Sequence, residues 1–119
     1  MNAINVQMFA MWEANPPELI PEATVVMYGG FIPAKAADWI NPANGALWIF
    51  NGAEDQVVWP EHAVDLEAAW SAEGLPHRVH LIPGLAHVGV DMLDPDSGPE
   101  PGMSWFDDMA EFLYQELYE

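Results

Sequence analysis

Three short segments rich in apolar residues divide the chain, and a glycine follows each of them within two residues. They span residues 23–28, 47–50 and 78–82. Their β-branched content and the glycines that follow favour strands over turns of helix. The first two segments are unbroken apolar runs, which are typical of parallel strands that helices cover on both faces. We therefore predict three strands.

Apolar residues at helical spacing predict three helices around these strands. The first covers residues 3–14 and is stopped by two prolines. The second runs from about residue 61 to 73, with Pro60 at its first position and Gly74 as its stop. The third begins at Ser104, which forms an S-x-x-D capping signature with Asp107. The predicted inner faces are, in order, Ile4, Met8, Met11 and Trp12; Ala63, Leu66 and Trp70; and Trp105, Met109, Phe112, Leu113 and Leu117.

The elements follow one another as helix, strand, strand, helix, strand, helix. Strand–helix–strand units with apolar strands predict a parallel sheet between layers of helices. A chain of 119 residues suffices for one domain with one modest core, so residues 1–119 are read as a single domain. The predicted fold class is α/β, with a three-stranded, mainly parallel sheet flanked by helices.

The charge of the chain excludes several partners. Nineteen acidic residues against two basic ones, Lys35 and Arg78, give a formal net charge of −17. Such a surface repels nucleic-acid phosphates and anionic lipid heads, so we expect no nucleic acid and no membrane as partner. Without cysteine there are no disulfides, thiolate nucleophiles or cysteine-based zinc sites. No secretory signal and no apolar run of about 18 residues is present, which predicts a cytoplasmic protein.

Two chemically active side chains follow successive strands. Asp55 lies just after Gly52, and His87 lies just after Pro83 and Gly84. Because the carboxyl ends of parallel strands gather the chemistry of α/β proteins, we expect the two to meet. A carboxylate can orient an imidazole, which then acts as general base and general acid. Each residue also fits a simpler role, Asp55 as a local turn former and His87 as an ordinary loop histidine.

Residues 23–117 resemble the C-terminal half of an α/β-hydrolase, most of all the dienelactone-hydrolase, carboxylesterase and prolyl-oligopeptidase branches. The matching segments are VVMYGG at 25–30, LWIFNGAEDQVVWP at 47–60, VHLIPGLAH at 79–87 and the helix at 105–117. In that family the triad runs nucleophile, acid, histidine along the chain. The resemblance implies a partial α/β-hydrolase fold, with Asp55 as acid and His87 as histidine. It also implies hydrolysis of an ester, thioester, lactone or peptide bond.

The family's nucleophile is missing from this sequence. It stands in G-x-S-x-G on the turn between a strand and a helix, beside the oxyanion donors. This chain has no such motif, and its only hydroxyl residues besides tyrosine are Thr24, Ser71, Ser97 and Ser104. None of them is predicted on a strand-to-helix turn. We therefore expect the nucleophile upstream of Met1, as in a truncated, split or decayed hydrolase gene.

Two functions from different classes remain open. One is a catalytic half that acts on a small ester-like substrate together with an N-terminal complementing fragment. The other is a non-catalytic acidic module for interaction or oligomerisation, derived from a hydrolase. A weaker alternative recruits a local serine, or a water activated by His87. If strand 23–28 normally pairs with an earlier strand, its open edge predicts a homo-oligomer, aggregation or dependence on a partner fragment.

The remaining candidates carry weaker signals. The acidic cluster at residues 91–100 lacks the spacing of an EF-hand loop, and the other histidines lack zinc spacing, so we expect neither metal nor cofactor. His80 fits a satisfied histidine within a sheet. Trp39, Trp59 and Met92 are weak candidates for an acyl pocket, because core packing is the commoner role of tryptophan and methionine.

Overall fold

Three strands and two helices form the part of the chain that the computed structural model describes, namely residues 22–27, 40, 44–87 and 89–119. In chain order they are β1 (Ala23–Met27), β2 (Ala46–Gly52), α1 (Glu61–Ala72), β3 (His77–Ile82) and α2 (Trp105–Tyr118). All three predicted strands and two of the predicted helices are confirmed, with bounds that differ by one or two residues. The helix predicted at residues 3–14 lies outside the described residues.

Strand β2 is the centre of the sheet. The strand order is β1-β2-β3 and both pairings are parallel, so that Ile49 of β2 lies between Val26 of β1 and Val79 of β3. All seven residues of β2 are buried. This explains its unbroken apolar sequence, because a central parallel strand meets a helix on each face. Pairing with β3 continues beyond the apolar run through Asn51 and Gly52.

One helix packs on each face of the sheet, and the side chains of β2 alternate between the two. Leu47 and Ile49 point into the cluster beneath α1, whereas Trp48 and Phe50 point into the cluster beneath α2. The buried members are Val26, Leu47, Ile49, Ala63, Leu66, Ala69 and Trp70 on the α1 side, and Ala46, Trp48, Phe50, Trp105 and Phe112 on the α2 side. The predicted α/β class, with a parallel sheet between helices, is confirmed.

Local signals fix the helix ends. Ser104 Oγ accepts the N–H of Asp107 and the Asp107 carboxylate accepts the N–H of Ser104, both at 3.0 Å, which completes the predicted capping box. Pro60 is the N-cap of α1 rather than its first helical residue, and only its carbonyl contributes to the cap. Gly74 follows the end of α1 with a φ of 67°, a left-handed conformation that glycine adopts without strain.

The inner face of α2 differs from the prediction at two positions. Leu117 is 40% exposed, because the cluster beneath α2 extends only as far as Leu113. Asp108, which the apolar pattern left out, is only 5% exposed. Neither α1 nor α2 combines the length and apolar character that a bilayer crossing requires.

Candidate active site

The loops that follow β2 and β3 lie against each other, and Gly52 allows this contact. The N–H of Glu54 donates to the Leu85 carbonyl at 3.0 Å, which ties one loop to the other. A Cβ at Gly52 would lie 2.2 Å from the carbonyl oxygens of both Leu85 and Ala86. No side chain fits in that space without moving the backbone. Glycine at the end of β2 therefore lets the segment that carries His87 pack directly on this strand.

Asp55 is buried in the first loop, and both of its carboxylate oxygens are engaged. Oδ1 accepts the N–H groups of Val57 and Val58 at 2.8 and 2.9 Å. Oδ2 lies 2.8 Å from Nδ1 of His87. The local-turn role and the histidine-orienting role of Asp55 therefore coexist, one on each oxygen.

The environment of Asp55 keeps it ionised. Burial by itself raises the pKa of the Asp55 carboxyl, but hydrogen bonds from His87, Val58 and Val57 and the charge of His87 outweigh burial. The net result is a pKa below the ordinary value for aspartate. Asp55 is thus a carboxylate at neutral pH, the form that can orient an imidazole.

The hydrogen bond to Asp55 determines which nitrogen of His87 carries hydrogen. A carboxylate only accepts, so Nδ1 of His87 must be the donor, and in the neutral ring Nε2 is then the basic nitrogen. The His87 side chain is 33% exposed, whereas that of Asp55 is wholly buried. An imidazole in this tautomer, with a fixed carboxylate behind it, can accept a proton from a hydroxyl and return it to a leaving group.

Two cavities open beside the loop that carries Asp55, and acidic residues line both of them. The first, of about 410 Å³, is lined by Ala53, Asp55, Gln56, Trp59, Pro60 and Glu61. The second, of about 480 Å³, is lined by Glu54, Gln56, Val57, Ala86 and His87. Among the residues that the structure describes, neither lining contains a lysine or an arginine.

Two of the three candidates for an acyl pocket, Trp59 and Met92, lie among the described residues, and they separate in the structure. Trp59 is 61% exposed and lines the cavity that also contains Asp55. Met92 instead packs, partly buried, against the cluster beneath α2, which places it in the core. Trp39 lies outside the described residues. Of the two described candidates, Trp59 is the one placed beside the Asp55–His87 pair.

The serines occupy other parts of the structure. Ser104 caps α2, and Ser97 Oγ donates to the carbonyl of Asp94 at 2.8 Å. Ser71 lies in the last turn of α1. None of the three lines the cavity at His87.

The acidic loop before α2 makes local turns. The carboxylates of Asp91 and Asp94 each accept the backbone N–H two residues further on, from Leu93 and Asp96, at 3.0 and 2.9 Å. These are Asx turns, which use the carboxylates locally. Within residues 22–27, 40, 44–87 and 89–119, no three histidine or acidic side chains are grouped so that they could hold a metal.

A second carboxylate–histidine pair, which was not predicted, joins β2, β3 and α2. Asp108 accepts hydrogen bonds from Trp48 Nε1 at 2.9 Å, His80 Nε2 at 2.7 Å and Arg78 Nη1 at 3.0 Å. The ring of His80 also contacts those of Trp48 and Trp105, with centroids 5.5 and 4.7 Å away. His80 is thus a satisfied sheet histidine, as its pattern indicated. The sequence signal that could have identified Asp108 as a buried residue is its position on an otherwise apolar face of α2.

This network also lowers the pKa of Asp108. Burial raises that pKa, but hydrogen bonds from Trp48 and His80, with the charges of His80 and Arg78, outweigh burial. Asp108 thus stays ionised inside the core, where it ties α2 to the sheet.

Comparison with known proteins finds similarity in structure only. No protein-family model and no curated protein matches the sequence. The solved structures that match the fold include the following three. MGS-M1, an α/β hydrolase enzyme from a Medee basin deep-sea metagenome library, is 19% identical, with a TM-score of 0.62 over 82% of this chain and 45% of that chain. The acetyl ester-xyloside bifunctional hydrolase from Caldicellulosiruptor lactoaceticus is 14% identical, with a TM-score of 0.57 over 83% and 43%. The carboxylesterase Cest-2923 from Lactobacillus plantarum WCFS1 is 16% identical, with a TM-score of 0.58 over 87% and 51%.

The identities and coverages limit this likeness to the fold of about half of each protein. The chain spans about half the length of each of the three proteins, and the match covers most of this chain. Identities this low support a shared fold, whereas activity has to be argued from the site. With its parallel sheet and a helix on each face, the described chain has a partial α/β-hydrolase fold.

Proposed function

We propose that this chain supplies the acid and the histidine of a hydrolase site that cleaves an ester or a related acyl bond, such as a thioester, lactone or peptide. One observation carries the proposal: His87 Nδ1 lies 2.8 Å from Asp55 Oδ2, where the loops after two adjacent parallel strands meet. The fold shared with solved hydrolases supports a hydrolase rather than another class of enzyme.

In the proposed reaction His87 moves the proton and Asp55 holds the ring. Nε2 of His87 removes the proton of a hydroxyl nucleophile as that oxygen attacks the acyl carbon. The same proton then passes to the leaving group, and water repeats the sequence to release the acid. Asp55 stabilises the imidazolium that forms in between, which a neutral side chain at this position could not do.

The nucleophile and the oxyanion donors belong, in this proposal, to a complementing polypeptide. The sequence contains no G-x-S-x-G, and none of the three serines lines the cavity at His87. A second chain that docks beside the ends of β2 and β3 could place a strand-to-helix serine within reach of the imidazole. The alternative function, an acidic interaction module without turnover, needs the docking but not the nucleophile.

The charges around the pair favour a substrate that is uncharged or cationic. Glu54 and Glu61 line the two cavities beside Asp55 and His87. Arg78, one of the two basic residues in the sequence, is bound to Asp108 and Glu111 on the α2 side of the sheet. A carboxylate on the substrate would meet like charges here, at a cost of about 1 kcal/mol for a pair 4 Å apart in water.

The test is ester hydrolysis by a complemented complex. The full chain is co-expressed with a polypeptide that carries a G-x-S-x-G turn, the complex is isolated by gel filtration, and p-nitrophenyl butyrate turnover is measured. We expect His87→Ala and Asp55→Asn each to lower kcat by roughly 10²- to 10⁴-fold. His62→Ala, on α1 and outside both cavities, is the control and should keep full turnover.

The outcomes separate the two functions. Undiminished turnover in His87→Ala and Asp55→Asn would remove the pair from the mechanism. A stable complex without turnover, in which the same variants bind equally well, would favour the interaction module. For substrate charge, the matched anionic ester is p-nitrophenyl succinate, and we expect its kcat/KM to be at least about fivefold below that of the butyrate. Equal values for both esters would contradict the charge argument.

A further inference from the structure

Asn51 is a buried polar residue that the proposed reaction does not use. It lies near the end of β2, is 1% exposed, and belongs to the face of the strand that Leu47 and Ile49 present to α1. A buried amide gains nothing over an apolar side chain unless its hydrogen bonds are made. The contacts of Asn51 therefore indicate what it does.

The amide of Asn51 bridges the end of the strand and the loop that carries Asp55. Nδ2 donates to the carbonyl of Gly52 at 3.0 Å and to that of Val58 at 3.3 Å. Only the amide nitrogen can donate to carbonyl oxygens, so these contacts fix its orientation. Among the described residues, Oδ1 has no hydrogen-bond partner. An unpaired buried acceptor is unfavourable, so Asn51 contributes geometry here more than stability.

The peptide groups around Val58 link Asn51 to the carboxylate of Asp55. The carbonyl of Val58 accepts from Asn51, and the N–H of Val58 donates to Asp55 Oδ1 at 2.9 Å. A second N–H, from Val57, donates to the same oxygen at 2.8 Å. With Oδ1 held in this way, Oδ2 is directed at Nδ1 of His87.

We infer that Asn51 is a positioning residue for the Asp55–His87 pair. By anchoring Val58 from the strand side, it fixes the two N–H groups that set the rotation of the Asp55 carboxylate. The relevance to catalysis rests on the proposed function, whereas the positioning itself is a property of this chain and is measurable without turnover. Loss of the Asn51 donor frees the carboxylate to rotate and weakens its hold on His87.

The test is proton NMR of the histidine rings in the full chain, labelled with nitrogen-15. The Nδ1 proton of His87, assigned by its loss in His87→Ala, should give a low-field signal because a carboxylate accepts it. Asn51→Leu removes the donor at similar volume, and we expect this signal to broaden or disappear. The control is Trp70→Phe, which removes the Nε1 hydrogen bond to the Gly45 carbonyl at the opposite end of β2 and should keep the signal.

A second pair of variants covers the case in which Asn51→Leu does not fold. Asn51→Ala has no donor and a smaller side chain and should lose the signal, whereas Asn51→Ser keeps one donor and should retain it at least in part. In a complemented complex, Asn51→Ala should lower kcat by roughly 10- to 100-fold with little change in KM, as expected for a misplaced catalytic group.

Each outcome has one meaning. A His87 signal that is unchanged in folded Asn51→Leu, or in both Asn51→Ala and Asn51→Ser, would overturn the inference. If Asn51 variants lose the signal while turnover proves independent of Asp55, the positioning role stands and the proposed function fails. If turnover needs Asp55 but the signal survives in Asn51→Leu, the function stands and the positioning role fails.

Discussion

Replacement of Asp108 by alanine tests whether the buried network holds α2 on the sheet. Asp108 is 5% exposed, and its partners Trp48, His80 and Arg78 lie 2.7 to 3.0 Å from its carboxylate oxygens. Trp48 is fully buried, so without Asp108 its indole N–H loses its acceptor inside the core. An orphaned buried donor costs about 1–3 kcal/mol.

The charged partners add to this cost. Removing one member of a buried ion pair costs about 3–5 kcal/mol. The side chains of Arg78 and His80 are 28% and 18% exposed, so water replaces part of what they lose and the lower end applies. Together with the orphaned indole N–H, we therefore expect Asp108→Ala to lower the free energy of unfolding by at least about 4 kcal/mol, against about 5–15 kcal/mol for a whole domain.

The assay is urea unfolding, followed by tryptophan fluorescence. The variants are compared at an equal slope of the unfolding free energy against urea concentration, because a changed slope would report a change other than stability. The control is Glu111→Ala, because Glu111 contacts the same Arg78 at 3.5 Å but its side chain is 48% exposed. An exposed pair is worth less than about 1 kcal/mol. Equal losses in Asp108→Ala and Glu111→Ala would refute the argument that burial makes this network strong. Coupling of Asp108→Ala with Trp48→Phe in a double-mutant cycle should exceed about 0.5 kcal/mol.

Three further predictions concern the site, pH and association. Gly52→Ala should displace the His87 segment and abolish the Nδ1 signal of His87, because the added Cβ meets two carbonyl oxygens at 2.2 Å. The control is Gly84→Ala, whose Cβ meets no atom within 4 Å and which should cost only about 1–2 kcal/mol of left-handed backbone strain. An intact signal in Gly52→Ala would contradict the contact. Because the folded pKa of Asp108 is lowered, its contribution to stability is complete above the unfolded value of about 3.9 and is lost as pH falls through the lower folded value. The stability difference between wild type and Asp108→Asn, from urea curves at several pH values, should therefore shrink below about pH 4, and a constant difference would count against the network. Phe106, Tyr114 and Tyr118 are exposed on α2, and we expect the chain to self-associate through them. The association should strengthen from about 0.01 M to about 1 M salt, because salt screens the repulsion between chains of net charge −17. Light scattering that shows a monomer at every salt concentration would contradict this prediction.

Much of this fold follows from short-range pattern. The apolar run that became β2 and the S-x-x-D signature at Ser104 identify their elements because neighbouring residues decide them. The meeting of Asp55 and His87 follows from topology, since parallel strands that pair directly deliver their next loops to the same edge. Partners of this kind are predictable because the strand order constrains them before any side chain is placed.

Only the tertiary structure decided which side chains and backbone groups meet when they are distant in sequence, or when neighbouring residues of a strand point to opposite faces. The hydrogen bond from Trp48 to Asp108 joins residues 60 positions apart, and no local pattern encodes it. The sequence shows a glycine at position 52 and an asparagine at 51, but not that the first makes room for the carbonyls of Leu85 and Ala86 or that the second holds Val58. Local pattern determines which segments are strands and helices, because hydrophobic period and turn chemistry act within a few residues. Packing determines which buried polar groups meet, because that depends on the three-dimensional fit of the whole core.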